Sequence, residues 1–345
     1  MGGTIMKTNR STSFLAVAGL LVMTGFISGC SCQATNLTQT SAAASSNGSQ
    51  TASSSTSGVV PVSTTAVQTI PVTTEPSTPL VMADPIFEKL LKAELKKDVI
   101  YPEDLDIYTR IIIGGDHFIS LSGGDIKEKS IILFFGTEVE FEDTRYKGFG
   151  TMKSLADLGH FKNLNVLDVT LQPEIDYSTI PPETLAKLTR VFLTQSKLKD
   201  LSFLKGATSM FSLSLSFNEV SDLTPLKSCK ELIYLSCGSN QLEDLSPLAE
   251  LTKLKRIDMT QNNVKDLTPL KNLVSLEVLG CYQNQIEDIS ALSGLTNLKD
   301  LELIDNKIKD VSPLKDFKSF KRLRLRGNPI ENIEVLDHIE NLEME

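Results

Sequence analysis

At 345 residues the chain is long enough for about two domains, and its 34 basic against 43 acidic residues give a formal charge of −9. Those numbers argue against a nucleic-acid partner, whose binding needs clustered Lys and Arg, and three scattered histidines with five cysteines argue against a multi-ligand metal centre. Charge is also unevenly spread: residues 1–29 hold Lys7 and Arg10 and no acid, residues 31–83 hold only Glu75, and nearly all the rest follows residue 83.

The N-terminus reads as an address. Behind the basic head lies SFLAVAGLLVMTGFI over 13–27, an apolar run short of the roughly 20 residues a spanning helix needs and suited to a secretory h-region. It ends in Ile27-Ser28-Gly29-Cys30, an aliphatic residue, two small residues and a cysteine. This resembles the lipobox of bacterial lipoproteins. The resemblance implies a signal peptide over 1–29, cleavage before Cys30, diacylglycerol on the Cys30 thiol, further acylation such as palmitate, and anchoring at the extracytoplasmic face of a bacterial cell membrane. The alternatives are an ordinary signal peptide cleaved nearby and an uncleaved anchor. MKTNR at Met6 is a more usual start than MGGTI at Met1.

Residues 30–83 carry that cysteine and a Ser/Thr/Pro-rich tract, including SSNGSQTASSSTSG and PVSTTAVQTIPVTTEPSTP. Apolar residues there have no period, so there is no face to bury against the entropy of ordering, and a tether is expected. About 50 such residues reach roughly 40 Å on average.

Residues 84–150 are expected to form an N-terminal cap with degenerate repeats. Asp84-Pro85 opens IFEKLLKAEL with a capping acid and a proline, a helix start. Pro102-Glu-Asp-Leu105 is a candidate second short helix, while Arg110–Ile113 and Ile131–Phe135 read as strands. Gly114-Gly115-Asp116 and Gly123-Gly124-Asp125 read as turns. No clean repeat precedes residue 150.

A fixed period dominates residues 151–345. Asn218, Asn240, Asn262, Asn284, Asn306 and Asn328 stand 22 residues apart. Around them recur phrases such as Leu232-x-x-Leu235-x-Cys237-x-x-Asn240-x-Leu242 and Leu298-x-x-Leu301-x-Leu303-x-x-Asn306-x-Ile308, the leucine-rich-repeat signature. A second ladder, Asp200, Asp222, Asp244, Asp266, Asp288 and Asp310, keeps the same 22-residue step and opens phrases such as Asp222-Leu-Thr-Pro-Leu226. The register weakens upstream, where Leu188-x-x-Val191-x-Leu193 has Ser196 in the Asn slot and Leu164-x-x-Leu167-x-Val169 has Gln172. Between these two units two residues are inserted near Pro181-Pro182.

The alternation puts apolar side chains on one face of a short strand, and units must stack to bury it. The expected fold is an α/β solenoid: a right-handed superhelix with a parallel sheet on its concave face and 3₁₀ or extended chain on its convex side, since about eight residues there are too few for a full helix. The Asn is expected to bond backbone groups freed at the end of each strand, and the Asp to cap the following turn. The repeat length and the DLTPL phrase resemble the internalin-type family of bacterial leucine-rich-repeat proteins. The helix at Asp84–Leu95 then resembles the helical cap of such domains. No C-terminal cap is visible; Glu331, Glu334, Glu340, Glu343 and Glu345 are expected to keep that edge soluble.

Cys237 and Cys281 take leucine positions two repeats apart, beyond disulfide reach, and Cys229 takes an apolar slot, so all three read as buried thiols. His117, His160 and His338 lie outside those strands, leaving no Cys–His pair. Residues between the leucines are expected to face the hollow: Phe192, Phe217, Tyr234, Arg256, Asp258 and Tyr282 are the candidate partner-binding residues, because aromatics and Arg anchor protein interfaces. Asp300 beside Arg322 and Glu302 beside Arg324 read as cross-strand charge pairs. With no G-x-S-x-G, H-E-x-x-H, phosphate loop or paired C-x-x-C, no enzyme activity and no cofactor are expected. The expectation is a monomeric, lipid-anchored cell-surface protein that binds a protein partner of host or envelope origin, in adhesion or recognition. The alternative is a cell-envelope glycan binder or structural spacer.

Overall fold

The computed structural model describes residues 77–123, 132–133 and 137–339. The leader, Cys30 and nearly all of the Ser/Thr-rich tract, together with Gly124, Asp125, Glu340, Glu343 and Glu345, lie outside these residues. Among the described residues no helix is long and apolar enough to cross a membrane. Thr78–Glu345 forms one compact unit.

Its spine is a sheet built almost wholly in parallel. In chain order the strands are β1 (Arg110–Gly114), β2 (Phe118–Ser122), β6 (Val166–Thr170), β7 (Arg190–Thr194), β8 (Ser212–Ser214), β9 (Tyr234–Ser236), β10 (Arg256–Asp258), β11 (Val278–Gly280), β12 (Asp300–Glu302) and β13 (Arg322–Arg324). From β13 the strands are ordered back one by one to β6, then β1, with β2 closing the edge. The register repeats without slippage: Leu235, Ile257, Leu279, Leu301 and Leu323 stand opposite one another across successive strands. A one-residue slip would turn each of these apolar side chains outward.

The two ladders explain why the turns are identical. Asn262 accepts the Leu242 N–H at 2.9 Å through Oδ1. Its Nδ2 donates to the carbonyls of Cys237 (3.1 Å) and Met259 (3.0 Å). One buried amide thus satisfies backbone groups in its own unit and the unit before it. Asn218, Asn240, Asn284, Asn306 and Asn328 repeat the pattern. The residue before each Asn turns through left-handed backbone: Phe217, Ser239, Gln261, Gln283 and Asp305 have φ between 51° and 59°. On the convex side Asp222 Oδ1 accepts the Thr224 N–H at 2.7 Å, and Asp200, Asp244, Asp266, Asp288 and Asp310 do likewise two residues on. Each acid opens a 3₁₀ turn such as Thr224–Ser228, Thr268–Leu270 or Ser312–Leu314. The longer unit spends its two extra residues on a 3₁₀ turn, Tyr177–Thr179, and a short helix, Pro182–Leu185.

One continuous core runs from Phe87 to Ile339. At its start stands helix α1 (Pro85–Leu95). The Asp84 carboxylate caps it, accepting the N–H of Ile86 and Phe87 through one oxygen and of Lys153 and Ser154 through the other. Pro102–Asp104 is a single 3₁₀ turn. Residues 110–114 belong to the stack as a degenerate unit: β1 lies parallel to β6, with Ile111 opposite Leu167 and Ile113 opposite Val169. It lacks an Asn; the Gln172 amide donates instead to Gly115 O at 2.7 Å.

One feature departs from what the period predicts: part of the hollow side is covered by the chain itself. Strands β3 (Ile132–Leu133), β4 (Glu138–Phe141) and β5 (Thr144–Lys147) form a separate antiparallel sheet. Ile111 and Ile113 enter the main core, so by alternation Ile112 faces the concave side. There it packs with Val139 and Phe141 of β4 and with Leu171. Phe118 stacks on Phe141 with ring centroids 4.4 Å apart. Lys197, just after β7, lies 4.6 Å over the Phe149 ring. The small sheet therefore sits over β1 and the end of β6.

Candidate functional site

Beyond this cover, the concave residues form rows across the strands. One row reads Arg190, Ser212, Tyr234, Arg256, Val278, Asp300, Arg322; the next reads Phe192, Ser214, Ser236, Asp258, Gly280, Glu302, Arg324. Phe192, Phe217, Tyr234, Arg256 and Tyr282 are half-buried, whereas Asp258 is only 2% exposed. Tyr234 and Arg256 are direct cross-strand neighbours, and Asp258 stands two residues beyond Arg256 on the same face. Phe217 shares the turn position of Ser239, Gln261 and Gln283 past the strand ends, and Tyr282 follows β11 by two residues, so these side chains are spread over the units of β8 to β11, while Phe192 sits nearer the covered end.

The turn positions behave differently from the strand positions. Ser239 Oγ donates to Gln261 Oε1 at 2.7 Å, and Gln261 Nε2 donates to Gln283 Oε1 at 2.9 Å. These side chains spend their polar groups on one another, forming a ladder along one margin of the hollow.

Charges are placed in three ways. Asp168, at the same repeat position as Asp258, is buried against Arg110, 3.5 Å away; burial pushes its carboxyl up to about 6 despite the guanidinium. Glu302, 9% exposed, takes Arg322 Nη1 at 3.3 Å and Arg324 Nη1 at 3.2 Å. Arg322 thus reaches diagonally to Glu302 although Asp300 is its register partner, and Asp300 Oδ1 is left buried without a hydrogen bond. Asp258 accepts the Thr260 N–H at 3.0 Å and the Ser236 hydroxyl at 3.4 Å, and burial raises its carboxyl.

Repeat position alone carries no information about this burial. The Arg110–Asp168 pair joins a residue outside the clean period to one at the repeat position of Asp258, so the period does not signal it.

Cys229, Cys237 and Cys281 are free thiols buried in the core, and burial raises all three above the ordinary thiol range. The Cys237 thiol donates to the Asp258 carbonyl at 3.3 Å. Such thiols are poor nucleophiles. His117 stacks on Tyr146, His160 lies 3.8 Å from Asp157, and His338 is bonded to backbone carbonyls. Among the described residues no group of three potential ligands is placed to hold a metal ion.

The family model for leucine-rich repeats, two copies per match, fits residues 208–250, 230–272, 252–294 and 274–316. Among solved structures, internalin C2 of Listeria monocytogenes is 28% identical, with a TM-score of 0.54 over 73% of this chain and 96% of that one. An internalin F of the same organism is 24% identical, with a TM-score of 0.48 over 76% and 94%. A leucine-rich-repeat protein of Leptospira interrogans is 22% identical, with a TM-score of 0.49 over 56% and 52%. No curated protein matches the chain.

Proposed function

The chain is a leucine-rich-repeat protein of the internalin type, and from that premise we propose that it is a surface-tethered recognition module which binds a protein partner on the uncovered stretch of its concave sheet. The observation that carries this reading is the gathering of Phe217, Tyr234, Arg256 and Tyr282, all half-buried, on one rigid face. Such side chains bury much area at small entropic cost and are favoured interface anchors. The strands beneath them are fixed by the Asn ladder, so little ordering is needed on binding.

In this reading Cys30 carries the lipid. Several acyl chains, each CH₂ contributing about 0.8 kcal/mol, hold the protein at the outer face of a bacterial membrane. The Ser/Thr-rich tract up to residue 83 spaces the repeat domain from that surface. The partner belongs either to the envelope or to a host, and the protein acts as a monomer.

Cross-linking of intact, surface-displayed protein tests the proposal. Tyr234→Ala with Tyr282→Ala reduces capture while the fold persists; undiminished capture removes the middle of the sheet from consideration. Cys30→Ser releases the protein from membranes, and retention there contradicts lipid anchoring. Aromatic faces also stack on sugar rings, so a peptidoglycan pull-down that competes with protein capture would favour a glycan ligand.

A further inference from the structure

Asp84, Asp157, Asp168, Asp258 and Glu302 are acids buried among the described residues. A buried carboxylate is tolerated only when its charge is paired or its lone pairs are filled. Asp84 accepts four backbone N–H groups. Asp157 accepts those of Ala83 and Asp84 and lies beside His160. Asp168 has Arg110, and Glu302 has Arg322 and Arg324. Asp258 has one backbone N–H and one long hydroxyl bond, and among the described residues no cation stands within ion-pair distance of it. The negative charge of Glu302 adds to its burden.

The surroundings point the deficit at a ligand. Opposite Asp258 on the two flanking strands stand Ser236 and Gly280. A Cβ on Gly280 would lie 3.2 Å from Asp258 Oδ1 and 3.5 Å from Thr260 Oγ1, and one on Gly238 would lie 3.3 Å from Asp258 Oδ2. The carboxylate therefore lies between two glycines, with the Thr260 hydroxyl directed at the same point beside Gly280. Thr260 is 6% exposed. Its hydroxyl faces the Asp258 carboxyl and softens the rise that burial causes there, and Oγ1 has no other partner among the described residues. A buried carboxylate lacking a counter-charge and a buried hydroxyl engaged by nothing but that carboxyl thus meet on the face already assigned to recognition.

We propose that Asp258 and Thr260 form a receptor for a lysine ammonium presented by the bound protein. The inference rests on the concave face being the binding face. An ammonium is a compact charge with three donors, which suits one carboxylate oxygen and one hydroxyl side by side. A guanidinium fork wants both carboxylate oxygens free for a bidentate pair, and here each already accepts a bond. Tyr234 lies diagonal to Asp258, opposite Arg256 on the strand before, and Tyr282 comes two residues after Gly280, the residue opposite Asp258 on the strand after.

The test is an NMR titration of the isotope-labelled full-length chain with Nα-acetyl-lysine methylamide, with Nα-acetyl-norleucine methylamide as the uncharged control. The lysine probe shifts the amides of Gly238, Thr260 and Gly280 saturably, and the norleucine probe does not. Asp258→Asn, close to isosteric, weakens the lysine response by about tenfold or more, as loss of a buried charge partner does. Thr260→Val weakens it by a smaller factor and reports independently if Asp258→Asn is poorly folded. Equal response to both probes, absence of response, or indifference to both substitutions overturns the proposal. The two readings separate in the cross-linking assay. Capture lost in the Tyr234→Ala, Tyr282→Ala variant but intact in Asp258→Asn removes the ammonium site alone, whereas capture indifferent to all of them removes the concave face itself.

Discussion

A single amide does most at the end of each strand. Asn262 is bonded to Leu242 N, Cys237 O and Met259 O, all in its own or the preceding unit. Asn262→Ala leaves these backbone groups buried and unsatisfied, at about 1–3 kcal/mol for such a group. A loss of about 3 kcal/mol in urea unfolding is expected, against almost none for Lys230→Ala, whose pairing with Glu250 is exposed. The acids respond oppositely to pH. Asp200 is held below the ordinary carboxyl range by the Ser202 hydroxyl and amide, so its contribution is present above pH 3.8 and is lost as acid titrates the folded form. Asp168 is pushed up to about 6, so the folded chain keeps a proton that the unfolded chain has lost, and its contribution falls as pH rises from 3.8 to about 6. Asp168→Asn should flatten that segment of the urea midpoint against pH; an unchanged slope would mean that Asp168 titrates normally.

Elements were legible in proportion to how local their causes are. Each 22-residue unit repeats its own strand, Asn turn and Asp-opened 3₁₀ turn, so one unit is read from the next. The helix at Pro85 was equally legible, because Asp84 caps it from within the same segment. β1 is legible as a strand but shows no clean repeat, because the residues that place it, Leu167, Val169 and Gln172, are more than 50 positions downstream. The small sheet β3–β5 follows no period at all; what seats it is Phe141 against Phe118 and Val139 against Ile112. Phe141→Ala removes from that satellite cluster the ring that stacks on Phe118. Amide exchange should accelerate over β4 and β5 while β9–β12, which share the continuous main core, stay protected. Uniform acceleration along the chain would mean that the small sheet is an integral part of the solenoid core.

For the whole molecule, stacking converts a short-range pattern into a long rigid face, with stability summed over neighbours. The candidate site was legible to the level of the face: Phe192, Phe217, Tyr234, Arg256, Asp258 and Tyr282 all follow from the repeat register. Two things were not. Asp258 is closely approached by Gly238 and Gly280 in neighbouring units, and the covering of the N-terminal stretch depends on Val139, Phe141, Tyr146 and Phe149, outside the period altogether. Both are consequences of packing between units, which a unit-by-unit reading does not contain.

The most direct measurement places a photo-cross-linking amino acid at one position at a time in surface-displayed protein. At Tyr234, on the concave sheet, a discrete protein adduct is expected; at Lys227, exposed on the convex 3₁₀ turn Thr224–Ser228, none is expected. An adduct from Lys227 with none from Tyr234 would contradict binding on the concave face.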